Sequence, residues 1–470
     1  MRTIAAGTLC ALLAGAAGAQ EDRVYTKRYE DGGVYEGGFR DGLQHGTGTF
    51  RLPDGYEYEG EWAEGEIEGR GTIRFADGAV YEGELSAGRP DGRGAITYVD
   101  GTVYEGAWRE GAFEGEGVLR HADGTVYEGT FEGGLRQGRG RLEHGSGYVY
   151  DGDWIADARE GRGEVRYPSG AQYVGEVSDG RREGRGTLRL PDGHVVEGEW
   201  RADRLQGQGR VEAPDGTVYD GAFEGGVREG RGVLRLPDGS VYTGDFAGGA
   251  REGRGVLERP DGYRYEGEFA AGRAEGEGVA TYPDGSVYAG AFAGGLPEGR
   301  GRIDHADDTS YEGAWVAGVI EGEGRAVYAD GVVYEGGFAG ARMHGTGRLS
   351  YPDGYVYDGA WRDGQRHGEG TLTYPDGTVY QGGWADDLRH GRGVLTTPDG
   401  FRYEGEWALG EIEGEGTATY PGGAVYEGGW ADGRRSGEGT LRHASGEVDA
   451  GRWEAGALVE PADPEAPEDG

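Results

Sequence analysis

The chain has 470 residues, among them 104 glycines and 16 prolines, and a formal net charge of -39 from 86 acidic against 47 basic side chains. Lys27 is the only lysine and no run of basic residues occurs, so the surface repels polyanions; this excludes nucleic acid as a partner and argues against an anionic membrane. A single cysteine, Cys10, excludes a disulfide framework and a thiolate metal centre.

In chain order, residues 1–19 read as a cleavable signal peptide. Arg2 precedes an apolar run from Ile4 to Ala14, and Ala17-Gly18-Ala19 forms a small-x-small cleavage site before Gln20. The run is too short to span a bilayer. The expectation is export, to the periplasm or beyond the cell, of a thiol-free mature chain. Residues 20–29 form a charged lead that supplies half a structural unit, with Lys27 and Tyr29 in second-strand positions. From residue 30 to 459 one pattern governs. The motif Tyr-x-Gly-x-aromatic returns every 23 residues through almost the entire chain, from Tyr35/Gly37/Phe39 to Tyr426/Gly428/Trp430, without insertion or deletion, Leu85 and Val177 standing in the aromatic slot as exceptions. Starting at Gly37, each of eighteen steps of 23 lands on a glycine, the last being Gly451, so nineteen units share one frame. A fixed period of this length signals units that bury surface against their neighbours, and it displaces the usual count of domains from length. Residues 460–470, rich in proline and acid, read as a disordered tail that ends the ladder.

Within one unit, Gly55 to Gly78, the alternation is that of strands. Tyr58, Gly60 and Trp62 fall on one face, and Glu57, Glu59 and Glu61 on the other; later, Gly71, Ile73 and Phe75 oppose Arg70, Thr72 and Arg74. Interior glycines at this density each cost a helix about 1 kcal/mol, so helices are excluded. Asp-Gly pairs such as Asp54-Gly55 and Asp77-Gly78 tolerate positive φ and close tight turns. Asp307-Asp308 breaks the pair and requires an aspartate in the left-handed region. Tight connections on both sides make successive strands antiparallel neighbours. The expected fold is all-β: an elongated, single-layer antiparallel solenoid of about nineteen 23-residue β-hairpin repeats, twisted into a ribbon.

Tyr-Glu-Gly-x-Trp/Phe, followed by Gly-x-Gly-x-hydrophobic and Asp-Gly, resembles the MORN repeat (membrane occupation and recognition nexus) over about residues 30 to 456. The resemblance implies an elongated single-layer sheet with two strands per repeat. Members of that family join membranes, bind phospholipids, or serve as scaffolds and dimerisation modules, and several carry a separate catalytic domain. No part of this chain lies outside the pattern at a length that would hold such a domain.

Few residues sit in patterns that carry chemistry. Gly-x-Gly pieces such as Gly230-Arg231-Gly232 lack the strand-loop-helix setting of a phosphate loop, and no catalytic motif appears, so no catalytic residue and no cofactor is expected. Eight of the nine histidines occupy two repeat positions: His45, His344, His367 and His390, and His121, His144, His305 and His443. Copies in adjacent units lie about 10 Å apart, too far to share one metal. An acid follows the tyrosine in most units, from Glu36 to Glu427, with arginine opposite; this is a cross-strand charge ladder, and no calcium loop organises it. All ten tryptophans occupy one position, and the last five units all carry one: Trp361, Trp384, Trp407, Trp430 and Trp453. That aromatic row is the candidate partner-binding face. The functional expectation is an exported, non-enzymatic repeat scaffold binding a protein or cell-envelope component along its sheet face, with a homodimer as one possible assembly. The alternative is a carbohydrate-binding or membrane-peripheral surface protein.

Overall fold

The computed structural model describes residues 24–462. The leader, residues 1–19, and residues 463–470 of the acidic tail lie outside the described residues. Thirty-nine β-strands and one three-residue 3-10 turn make up the described chain, which falls into two units dividing at Gly230/Arg231. In each unit the strands pair antiparallel with their neighbours in sequence, an uninterrupted meander in one layer.

One repeat shows why these residues form this sheet. A seven-residue strand, Glu57–Ala63, is followed by a nine-residue strand, Glu66–Arg74. Glu64 and Gly65 alone connect them, with φ of 51° and 92°. Positive φ at both central residues is the type I′ turn, whose twist matches that of the flanking strands. After the second strand comes a three-residue loop, Ala76-Asp77-Gly78. It is closed by the Phe75 amide donating to the Ala79 carbonyl at 2.8 Å and the Gly78 amide donating to the Phe75 carbonyl at 2.9 Å. The Asp77 carboxylate accepts the Ala79 amide at 3.0 Å, which is why aspartate precedes the glycine. At the expected exception, Asp308 does adopt the left-handed region, with φ of 65°.

The register is not regular along a hairpin. Tyr58 faces Ile73 and Gly60 faces Gly71, but then Trp62 faces Ile67. Glu61 thus opposes three residues, Glu68-Gly69-Arg70, and Gly69 takes a φ of 83°. This bulge is the mechanical centre of the repeat. The Tyr58 ring lies flat over the Gly60–Gly71 pair, where a methyl group on either glycine would overlap it, and its hydroxyl donates to the Glu61 carbonyl at the bulge, at 2.7 Å. Trp62 packs edge-on against Tyr58 (ring centroids 5.5 Å apart) and against Tyr35 of the preceding repeat (5.0 Å). Its indole Nε1 donates back across the joint to the Gly48 carbonyl at 3.2 Å. Tyr35 is clasped by two rings in this way, Phe39 and Trp62, and Trp62 ties two repeats together. The aromatic seam is the hydrophobic core of a one-layer protein, with Tyr35, Tyr58, Tyr81 and Tyr104 all at 0 % exposure.

Both ends depart from a full hairpin. Tyr25–Arg28 pairs with Val34–Arg40 and sets Lys27 opposite Tyr35, the second-strand position expected for it. At the other end the ladder runs further than expected: Ala457–Pro461 pairs with Val448–Glu454, Glu460 facing Arg452 and Pro461 facing Gly451. The start of the 460–470 segment is therefore strand. Pro461 is tolerated because alternation turns its missing N–H outward from an edge strand, while the next amide, Ala462, donates inward to Ala450 at 2.7 Å.

Candidate docking surface

The structure places the expected tryptophan row inside the seam. Trp361, Trp384, Trp407, Trp430 and Trp453 are between 4 and 7 % exposed. Arginines stack over three of them: Arg366 over Trp384 at 4.4 Å, Arg389 over Trp407 at 4.7 Å and Arg435 over Trp453 at 4.1 Å. Arg366 is also pinned by Asp387 at 3.0 Å. Since preceding-repeat tyrosines take the ring edges, as Tyr357 does at Trp384 (5.3 Å), this row is packing. It presents no open ring face to a protein or sugar.

The opposite face is open. Because a Tyr ring claims the aromatic side of the Gly–Gly pairs, except where Val196 or Asp449 replaces it, the other side of each pair is bare backbone, and a trough floored by glycine runs across the strands. In unit one it follows Gly37, Gly48, Gly60, Gly71, Gly83 and Gly94 and encloses about 1550 Å³ between residues 24 and 139. A further stretch of about 870 Å³ lies between residues 139 and 208. Unit two carries one of about 840 Å³ between residues 289 and 358. The trough is built by spacing alone, since the side chain after each tyrosine and those flanking the second glycine rise as its walls.

Those walls differ in charge along the chain. In the first stretch Glu59 faces Thr49 and Thr72, Glu82 faces Thr72 and Ala95, and Glu105 faces Ala95 and Val118. Glu128 follows, facing Val118 and Arg141. All four glutamates are exposed, and none takes part in an ion pair among the described residues, Arg141 reaching Asp151 and Glu143 instead. On the opposite wall Glu84 is satisfied: the Arg93 amide and the Arg70 guanidinium hold its carboxyl below the usual range. In the trough stretch of unit two between residues 289 and 358, three corresponding acids are neutralised across the strands, by Arg302 on Glu312 (3.5 Å), Arg325 on Glu335 (3.1 Å) and Arg348 on Asp358 (3.7 Å). The expected charge ladder is real there and absent at residues 59–128.

A further position was not legible as functional in the sequence. The residue before the bulge glycine clamps the next repeat, as Glu68 does by accepting the Ala87 amide at 3.0 Å, Glu160 the Asp179 amide at 2.9 Å and Glu321 the Gly340 amide at 2.8 Å. Glutamine serves equally, at Gln137 and Gln206. His344, His367 and His390 occupy this clamp in three successive repeats. His344 Nδ1 only reaches the Asp363 amide at 3.5 Å, and His367 Nδ1 is buried without a partner. Elsewhere His305 bonds Ser286 of the preceding loop at 3.0 Å and His443 bonds Asp449 at 2.9 Å. No three of His, Cys, Asp or Glu come together as a cation site among the described residues. No helix there is long and apolar enough to cross a membrane.

The family profile for the MORN repeat matches eighteen times in succession, from residues 35–55 to residues 426–448. The chain belongs to the MORN repeat family. Its eighteen matched repeats lie within the nineteen units read from the glycine frame; the last, around Gly451, lacks the tyrosine and carries Asp449 in its place. No curated protein matches this MORN chain. Solved structures with some likeness include the TCP10 domain of Danio rerio CPAP in complex with a STIL peptide. That domain is 18 % identical, with 52 % of this chain and 97 % of that one covered and a TM-score of 0.27. The SAS-4 (dCPAP) TCP domain of Drosophila melanogaster, in complex with a proline-rich motif of Ana2, is 16 % identical with 46 % and 99 % covered and a TM-score of 0.21. Virginiamycin B lyase of Staphylococcus aureus is 11 % identical with 71 % and 93 % covered and a TM-score of 0.12. At these scores the likenesses carry no argument about superposition or function.

Proposed function

We propose that this MORN chain is a non-catalytic scaffold that holds a protein partner on its glycine-floored face, and that it works outside the cytoplasm after removal of residues 1–19. The observation that carries this reading is the division of labour between the two faces. The aromatic side is consumed by packing, whereas the glycine side offers an open trough whose walls change charge from one stretch to the next. A repeat array with such a face presents a long, graded surface, which suits an extended partner better than a small molecule. The leader supports export through its apolar run and small-residue cleavage site.

The test is site-specific photo-cross-linking. A photoreactive residue at Thr72 or Thr187, on the trough wall, should give adducts with a partner protein in cells that express the chain. The same residue at Asp41 or Glu64, in the I′ turns at the strand ends, should give none. Adducts from the turns alone would overturn the assignment of the face, and N-terminal sequencing that finds Met1 intact on the mature protein would overturn export.

A further inference from the structure

The trough between Glu36 and Arg139 has a wall whose period matches one kind of ligand. Glu59, Glu82, Glu105 and Glu128 stand on every second strand, and at about 4.8 Å per strand they are spaced by about 9.6 Å. A polyproline-II helix has three residues per turn at about 3.1 Å each, so its every third side chain recurs at about 9.3 Å on one face. A β-strand laid in the same direction would present side chains on one face at about 6.8 Å and fall out of step after one repeat. The sheet also withholds what an added strand needs, because the backbone groups of the floor are already paired in the ladder. A polyproline-II segment has no such need, as its backbone stays solvated. The glycine floor admits close approach, and a groove of about 1550 Å³ exceeds the roughly 300–1,000 Å³ of small-ligand pockets. Charge settles the side chains: Glu59, Glu82 and Glu105 face only Thr, Ala and Val, and Glu128 faces Val118 and an Arg141 already engaged by Glu143 and Asp151; none of the four has an ion pair of its own among the described residues, where Arg302, Arg325 and Arg348 of unit two each pair with the acid they face.

We propose that residues 36–139 dock a polyproline-II segment of a partner protein that carries arginine or lysine at every third position, one basic side chain to each of Glu59, Glu82, Glu105 and Glu128. The proposal rests on the reading of the glycine face as the docking face and adds the chemistry and the spacing of what docks there.

The probe is a synthetic peptide of five Pro-Pro-Arg triplets, titrated against the full chain by fluorescence anisotropy at low salt. Its controls are a peptide with five arginines at alternate positions and one with five Pro-Pro-Glu triplets. The triplet arginine peptide should bind at least tenfold more tightly than the alternate-position peptide, and the glutamate peptide should not bind. The double variant Glu82→Gln/Glu105→Gln should weaken binding at least tenfold, while Glu312→Gln/Glu335→Gln in the neutralised stretch should leave it unchanged. Circular dichroism of both variants keeps a folding defect apart from lost binding. Equal affinity for the two arginine spacings, or no effect of the Glu82/Glu105 variant, would overturn the proposal. If the peptide fails but Thr72 still cross-links to a cellular partner, the face stands and its proposed ligand falls; if Thr72 also gives no adduct, both fall.

Discussion

The smallest element of this architecture is a tyrosine lying across two glycines, and its energetics can be read one group at a time. Burial pushes the hydroxyls of Tyr35, Tyr104 and Tyr127 up to about 12, against about 10 in an unfolded chain. A folded value above the unfolded one means that the neutral form is favoured by folding. The contribution is thus fully present below pH 10 and lost as pH rises from about 10 to 12. Circular dichroism followed across that range, together with tyrosinate absorbance, should show unfolding and ionisation occurring together; a chain whose tyrosines ionise near 10 with the sheet intact would contradict the burial. The tryptophans allow a finer comparison. Trp361 donates to the Gly347 carbonyl at 3.0 Å, whereas the Trp407 Nε1 is buried with no acceptor, although both rings meet two tyrosines. Trp361→Phe removes an indole hydrogen bond that Trp407→Phe does not, so it should cost about 0.5–1.5 kcal/mol more, the worth of one hydrogen bond. Equal shifts in denaturant midpoint would remove the indole bond from the account.

At the scale of the hairpin, repeats are joined by the seam on one side and by the clamp on the other. Where the clamp is Glu or Gln the next turn's amide is held at 2.7–3.1 Å; where it is histidine the bond is long or missing. His367→Gln should therefore stabilise unit two by about 1 kcal/mol, and Gln206→His should destabilise unit one by a similar amount. Calorimetry on the two variants checks the sign of each. This element was half legible in the sequence. The 23-residue frame, the strand alternation and the Asp-Gly loops followed from glycine spacing and period-two patterning, and the structure keeps all three. The I′ turns were not read, because their first position holds Glu64, Ala87 or Leu409 at positive φ, residues with no turn signal of their own. The bulge was missed for a related reason. Gly69 and Gly71 look equivalent as Gly-x-Gly, yet one supplies a left-handed backbone and the other a space beneath Tyr58.

For the molecule as a whole, contacts that reach only from one repeat to the next make stability a sum over joints. Removing residues 265–287 puts Tyr288 in the place of Tyr265 and keeps every register. That deletion should preserve the β circular dichroism spectrum with a modest fall in Tm, whereas removing residues 265–275 puts Gly276 there and should unfold neighbouring repeats. The functional face was the part least visible in sequence. A row of tryptophans in the last five units looks like a binding row when exposure is unknown. Nothing in Trp384 or Trp407 announces that Arg366 and Arg389 from the preceding repeats will cover them, and the bare glycine backbone that forms the trough has no side chain to notice. The central claim is that the aromatic face is core and the glycine face is surface, and acrylamide quenching of tryptophan fluorescence tests it most directly. All ten tryptophans are at most 7 % exposed, so quenching of the native chain should be several-fold weaker than that of the chain unfolded in guanidinium. Quenching of native protein as strong as that of the unfolded chain would contradict it.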